Sequence, residues 1–228
     1  MIVSVHQPHY LPWPGFFHKV GKSDCFVFLD RVQYERRGFQ NRNKIRRPNS
    51  WMWLTVPVKN KGLFEQKICE VEIDYTYDWR QKHLKSIKMN YARAPFFCDL
   101  EKYFKKIYSS RWQYLMDLNV HLIQFFLKYL EINTPIYYES KLKTTQKNTD
   151  RIIEICEKLG ADTYLSGVGA RAYLDEEKFR QARIKLIYQD FKYPVYKQCF
   201  GTNFIPNLSI IDLIFNCGKK SRELLFKE

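Results

Sequence analysis

The chain has 228 residues, of which 45% are hydrophobic; this share can bury a substantial core and excludes a wholly disordered protein. Its formal net charge of +14 at pH 7 favours an anionic partner such as a nucleotide-sugar or RNA, although a generally lysine-rich composition explains the charge equally well. Neither a signal peptide nor an apolar run of membrane-spanning length is present, so we expect a cytoplasmic protein without membrane insertion. The 6 cysteines lack zinc-binding spacing, and we predict no metal site.

The first 30 residues predict a strand, a shaped loop, a short helix and a second strand. Residues 2–5 and 25–29 are short, apolar and rich in β-formers. The loop HQPHYLPWPG (6–15) contains three prolines, which exclude regular structure there, and a helical pattern resumes over 15–22. Because open α/β sheets bind ligands at the carboxyl ends of their strands, we expect a ligand site at this loop.

Imidazole and guanidinium groups follow these two strands. His6 and His9 are candidate general bases, because imidazole exchanges protons near neutral pH. The basic and amide-rich segment 31–47 follows the second strand, and guanidinium groups bind phosphate or carboxylate. Taken singly, a histidine is more often structural and an arginine run is usually a solvated face; together they predict one ligand site. Its other predicted substrate-binding side chains are Gln7, Tyr10, Trp13, Asp30, Arg36, Arg37, Gln40, Asn41, Arg42 and Asn43.

Two further blocks follow before the chain returns to the sheet. The alternating side chains of residues 51–58 predict a strand, and those of residues 68–73 (ICEVEI) predict a half-exposed strand. The segment 51–74 is therefore a predicted β excursion, for which an antiparallel extension of the main sheet is one arrangement. Amphipathic helices are predicted over 79–91, 97–108 and 113–130. The helical block of about 78–132 is then an insertion or a cap over the site.

The last third resumes alternating strands and helices. Strands are predicted over 134–139, 161–165 and 184–188, with a helix before Gly160 and another over 210–216 that Ser209 caps. Asp212 is expected to anchor hydrogen bonds, with a second site carboxylate as the alternative. We therefore predict an α/β fold in a single domain over 1–228: a central, mainly parallel sheet with flanking helices, the β excursion and the helical insertion.

A second loop, SGVGA (166–170), follows the predicted strand 161–165. Glycines have no Cβ, so backbone N–H groups there can approach a phosphate or carboxylate closely. Ser166, Gly167 and Gly169 are therefore candidate substrate-binding residues, although a plain turn fits the pattern equally well.

Three blocks of the sequence resemble the signature of the WbqC-like family. They are HQPHYLPWPGFFHKVGKSDCFVFLDRVQYERRGFQNRNKI (6–45), LGADTYLSGVGARAYLD (159–175) and FIPNLSIIDLIFNCG (204–218). Members of that family are associated with gene sets for surface polysaccharides such as O-antigen, where acylation of an amino sugar, including glycyl attachment, has been suggested. The resemblance implies a subject area more firmly than a reaction.

Residues and resemblance together favour a transferase or ligase that acylates an amino sugar or nucleotide-sugar. ATP is a secondary possibility: the opening is similar to nucleotide-binding α/β proteins with an HxGH loop, but the matching place here is Trp13-Pro14-Gly15-Phe16. The alternative is an RNA- or nucleotide-binding protein without catalysis, which the basic segment with interleaved aromatic residues would suit. The two ideas can merge, since an aminoacyl-tRNA is one possible glycyl donor.

Overall fold

A five-stranded parallel sheet forms the centre of the structure, a computed structural model that describes residues 1–201 and 203–227. In chain order the elements are β1 (Ile2–His6), α1 (Pro14–Gly21), β2 (Cys25–Phe28), β3 (Arg42–Arg47), β4 (Ser50–Thr55), α2 (Trp79–Tyr91), α3 (Phe97–Ser109), α4 (Leu115–Tyr129), β5 (Ile136–Tyr138), α5 (Glu139–Leu142), α6 (Asn148–Leu159), β6 (Thr163–Ser166), α7 (Glu176–Gln181), β7 (Lys185–Tyr188), α8 (Ile210–Cys217) and α9 (Ser221–Phe226). The sheet order is β5-β2-β1-β6-β7, and its strand pairs are parallel. The predicted α/β fold is therefore confirmed.

Strand β1 lies in the middle of the sheet, where the strand order reverses. The chain passes from β1 to β2 on one side and later returns to β6 on the other. Ligands in open α/β sheets bind beyond the carboxyl ends of the strands at such a switch point. Since Val3 pairs with Tyr164, the parallel register brings the ends of β1 and β6 to the same edge of the sheet.

The two faces of the sheet pack against different helices. Val3 and Val5 of β1 join a smaller apolar cluster with residues of α6, such as Ile155. On the opposite face, Phe26 and Phe28 of β2 join the main core, which contains the helical block and α8. Because side chains alternate along a strand, His6 lies on the face of α1, where its ring contacts Phe16 with centroids 5.3 Å apart.

The predicted strand at 68–73 is wrong, because residues 68–70 form a 3₁₀ turn instead. The backbone N–H groups of Ile68 and Cys69 donate to the Val32 and Asp30 carbonyls, whereas that of Ile73 donates to Gln113. The alternating pattern thus reflects a segment with one buried side. Its backbone hydrogen-bond partners are spread over several segments and do not form the ladder of one strand pair.

The basic run 42–47, which was not predicted as a strand, is β3 of an antiparallel hairpin with β4. This hairpin forms its own two-stranded sheet and does not extend the main one. Asn49, which follows Pro48, has φ 60°, a left-handed conformation that asparagine tolerates in tight turns.

A buried polar network anchors the C-terminal segment to the helical block. The Asp212 carboxylate accepts hydrogen bonds from the Tyr91 hydroxyl, the Tyr196 hydroxyl and Gln198 Nε2, each 2.8 Å long. Burial raises the pKa of this carboxyl group, and the three donors oppose the shift. Arg46 of β3 is buried beside it and donates to the carbonyls of Cys199, Phe200 and Asn203. Asp212 is thus the hydrogen-bond anchor that the sequence suggested.

Along the described ranges, no helix is long and apolar enough to cross a membrane.

Candidate active site

Two histidine rings meet at the carboxyl end of β1. The centroids of the His6 and His9 rings are 4.4 Å apart, and the rings are nearly perpendicular. Phe16 of α1 lies against His6, and Phe39 lies 5.9 Å from His9 between ring centroids. Both histidines are half-buried. The structure thus brings the two predicted bases together at the switch point of the sheet.

The hydrogen bond of His6 fixes which nitrogen can accept a proton. Its Nδ1 lies 2.9 Å from the Gln7 carbonyl oxygen, which can only accept, so Nδ1 carries the hydrogen. Nε2 is then the basic nitrogen of the neutral ring. A neutral imidazole with a free basic nitrogen is the form that a general base requires.

A buried lysine accompanies the histidines. Lys19 of α1 is only 4% exposed, and its Nζ donates to the Val5 carbonyl over 3.0 Å. Burial lowers the pKa of Lys19 to about 7. Burial and the Lys19 charge lower the pKa of His9 to about 3, and the same two causes hold the pKa of His6 well below its ordinary value. Both imidazoles are therefore neutral at pH 7.

Two glutamines tie the histidine loop to the basic segment. Gln40 Nε2 donates to Gln7 Oε1 over 2.6 Å, and Gln40 Oε1 accepts from the Glu35 backbone N–H over 2.9 Å. Asn119 of α4 donates from Nδ2 to the carbonyls of Pro8 and Gln40. These bonds hold the two sequence segments in a fixed relation, as the prediction of a shared site requires.

A cationic cavity of about 300 Å³ lies in the basic segment, lined by Tyr34, Arg36, Arg37, Asn41, Arg42, Thr55 and Asn60. Arg36 donates to the Asn60 carbonyl and Arg42 to the Arg37 carbonyl. Nε of Arg42 is buried, with no hydrogen-bond partner among the described residues. Three of the predicted arginines therefore line the cavity, and guanidinium groups suit phosphate.

An aromatic surface connects the cavity with the histidine pair. Phe39 lies 5.8 Å from the Trp53 ring, and Trp53 lies 5.4 Å from Trp51, between ring centroids. The Arg42 guanidinium lies 4.2 Å above Trp53, and Lys44 Nζ lies 4.3 Å above Trp51. Phe39 and Trp51 are exposed. This hairpin face (Phe39, Arg42, Lys44, Trp51 and Trp53) thus presents rings and cations next to the histidine loop.

The second predicted loop leaves β6, the neighbour of β1. Ser166 is buried, its hydroxyl lies 3.3 Å from the Gly167 carbonyl, and its carbonyl accepts from the Gln189 N–H over 2.7 Å. Gly167 has φ −74°, and a Cβ placed on Gly167 or Gly169 would meet no atom within 4 Å. Nothing in the described fold therefore requires glycine at these two positions, which leaves space beside their backbone.

Tyr10, a predicted substrate-binding residue, lies in the core. Its hydroxyl donates to His83 Nδ1 over 2.9 Å and contacts the Tyr108 hydroxyl. His83 Nε2 donates to the Thr55 carbonyl, so Nδ1 is the acceptor. The expectation that Tyr10 binds the substrate is corrected, because the loop turns inward here: Leu11 has φ 44° and the Tyr10 N–H donates to the Phe39 carbonyl.

Four other predicted residues have structural partners. Asn43 is buried and donates to the Leu11 carbonyl over 2.7 Å, and Asn41 Nδ2 donates to Val56 beside the cationic cavity. Asp30 is 3% exposed and accepts from the Ser140 N–H at the end of β2. Trp13 packs over Gly15, where an added Cβ would lie 2.2 Å from its ring. The structure does not bring Asp30 or Trp13 into contact with the histidine pair.

Lys19 is the residue that sequence reasoning missed. It lies within FFHKVGK, three positions after Phe16, so it shares that residue's helical face. This spacing was the available signal, since a lysine on the apolar face of a helix is unusual.

Among the residues with described structure, no group of three or more His, Cys, Asp or Glu side chains is arranged to hold a metal.

Comparison with known proteins gives a family. The model of the WbqC-like protein family matches residues 7–224. An uncharacterized protein of Mycobacterium tuberculosis, Rv1507c, is 35% identical over 225 residues, which cover 98% of this chain and 96% of the relative. No solved structure matches the chain. With a match over nearly its whole length, the chain belongs to the WbqC-like protein family.

Proposed function

We propose that the protein is a transferase or ligase that acylates, for example with a glycyl group, the amine of an amino sugar or nucleotide-sugar in surface polysaccharide synthesis. One observation carries the proposal: two neutral imidazoles meet at the switch point of the sheet, next to a cationic cavity. The family resemblance supports the subject area, and the proposal extends it to a reaction.

The step needs a base and a held donor. The sugar amine attacks the acyl carbon and forms the C–N bond, and the bond from that carbon to its leaving group breaks with the electron pair on the leaving group. His6 Nε2 takes the proton that the nitrogen loses, while His9 packs against the His6 ring and limits its rotation. The leaving group then departs with its own charge or with a proton from the solvent.

The arginine cavity supplies the binding of phosphate. In this proposal Arg36, Arg37 and Arg42 hold the diphosphate of a nucleotide-sugar or the phosphates of ATP. Gln7 and Gln40 bind hydroxyls, and the backbone of Gly167 and Gly169 admits an oxyanion from the side of β6. Phe39 and Trp53 provide rings against which a sugar or base stacks.

A product assay tests this function directly. UDP-linked amino sugars would be incubated with the protein and with acyl-CoA, with aminoacyl-tRNA, or with ATP and glycine, and the products weighed by mass spectrometry. We expect the mass gain of one acyl group with one donor, and its loss in the His6→Gln/His9→Gln double variant. No mass gain with any donor would reject the proposal.

The alternative is a nucleic-acid-binding protein without catalysis, and the hairpin face favours it. Aromatic rings with interleaved cations suit single-stranded RNA, whose bases stack on such rings. A salt titration separates the two functions. Micromolar or tighter RNA binding with a steep salt dependence supports the alternative, whereas binding of nucleotide-sugars alone supports the transferase.

A further inference from the structure

The buried amine of Lys19 has no acidic partner among the described residues. Its Nζ contacts the Val5 carbonyl, and its titratable neighbours are the neutral imidazoles of His6 and His9. In the described ranges, no ion pair joins Lys19 to a carboxylate. A buried lysine is normally paired, because an unpaired charge is costly to remove from water.

The position of this amine makes a purely structural role unconvincing. The stabilisation from one hydrogen bond to a carbonyl is small beside the cost of desolvating an ammonium group. A methionine of similar length would fill the same space without that cost. Three basic groups from β1, its loop and α1 therefore lie together without an anionic group from the described part of the chain.

We propose that Lys19, His6 and His9 form a binding site for one oxyanion, a phosphate or carboxylate group of the donor. The inference rests on the proposed function in naming the donor, but the anion site itself stands on the unpaired cluster. Ligand oxygen atoms would replace the missing acidic partner and accept hydrogen bonds from Lys19 Nζ and from a ring N–H of His9.

Such a site links anion binding to proton uptake. Because burial lowers the pKa of Lys19 to about 7, most of the amine is neutral at pH 8. A bound anion favours the ammonium form and raises that pKa. His6 and His9, which also face the anion, are neutral in the free protein and add to the uptake when the pH is lowered. Binding at pH 8 should therefore take up close to one proton.

Calorimetry on the full chain tests the site with simple probes. Pyrophosphate and acetate are titrated at pH 8 in two buffers of different ionisation enthalpy, and the difference in heat gives the protons taken up. We expect proton uptake with one of the two probes, which identifies the anion as phosphate-like or carboxylate-like. Because pyrophosphate can also bind the arginine cavity, the proton uptake and not the binding itself reports on Lys19, and no proton uptake with either probe would overturn the proposal.

Substitution separates Lys19 from the overall charge. Lys19→Met should weaken binding of the probe at least tenfold and abolish the proton uptake. Lys85→Met, which removes an exposed lysine of α2, should change neither. Lys19→Met should also melt at a higher temperature than the wild type, since it removes an unpaired buried charge. A lower melting temperature with unchanged binding would identify Lys19 as a structural residue and reject the site.

The anion site and the transferase fail in different ways. If pyrophosphate binds with proton uptake but no acyl product forms with any donor, the anion site stands and the proposed function falls. If an acyl product forms in wild type and Lys19→Met at equal rates, the function stands and Lys19 has no part in it.

Discussion

Two buried polar clusters in this protein differ in whether their charged groups are paired. Around Asp212, three side-chain donors and the neighbouring Arg46 neutralise one carboxylate within the fold. Around Lys19, three basic groups lie together, and no carboxylate among the described residues pairs with them. The first cluster pairs its carboxylate with donors of the fold and contributes stability, whereas the second has no acidic partner among the described residues and lies where α/β sheets bind ligands. A polar group left unpaired in a well-packed protein is the better guide to function.

The largest expected effect comes from disrupting the cluster around Asp212. Asp212→Ala leaves three donors unpaired and the buried Arg46 charge uncompensated, so we expect a loss of about 3–5 kcal/mol in the free energy of unfolding. Urea denaturation measures it, with Asp212→Asn as the milder control. A change below about 1 kcal/mol would show that the cluster is not a structural anchor.

Substituting His6 in the cluster around Lys19 should affect activity and leave stability intact. His6→Gln should lower the rate of acyl transfer by about 10²–10⁴-fold, the usual contribution of a general base. The melting temperature should stay within a few degrees of the wild type. His121→Gln, at an exposed histidine of α4, is the matched control and should retain full activity.

Buried histidines should make stability fall in weak acid. Burial lowers the pKa of His83 to about 4, below its ordinary value near 6.5. As the pH falls through that window the unfolded chain binds a proton that the folded chain does not, so the free energy of unfolding decreases by about 1.4 kcal/mol per pH unit for this histidine. Urea curves between pH 7 and 4 measure the slope. His83→Gln should flatten it, and a slope unchanged by that substitution would contradict the assignment.

The cationic cavity should contribute a moderate binding effect. Arg42→Lys keeps the charge but removes the guanidinium fork and its stacking on Trp53, so we expect nucleotide-sugar affinity to fall about tenfold to a hundredfold. Arg222→Lys, in the C-terminal helix α9, should have no effect. Equal affinity of both variants in a binding titration would remove the cavity from the site.

The smallest effect concerns the loop after β6. Gly167→Ala places a methyl group where no atom lies within 4 Å and where φ is ordinary, so the folded protein should be stabilised by about 0.4–1 kcal/mol. Ligand affinity should nevertheless fall severalfold if an oxyanion approaches this backbone. Unchanged affinity together with higher stability would mean that the loop is a plain turn.

The sequence predicted the elements whose patterns are local. The helix at Trp79–Tyr91 and the strands around His6 and Ser166 follow from periodicity, and the shared sheet edge follows from parallel topology. Tyr10 and Lys19 could not be placed that way. Tyr10 is buried because Tyr108 and His83, from distant helices, surround it, and Lys19 is buried because α1 packs on β1.

The protonation of the histidine pair tests the central claim most directly. Imidazole resonances of His6 and His9, assigned with the single glutamine variants, would be followed by NMR from pH 8 to 4, without and with pyrophosphate. We predict that both rings of the free protein titrate well below the ordinary histidine pKa and that their pKa values rise when the anion binds. Titration of both rings near pH 6.5, unaffected by the anion, would contradict the account.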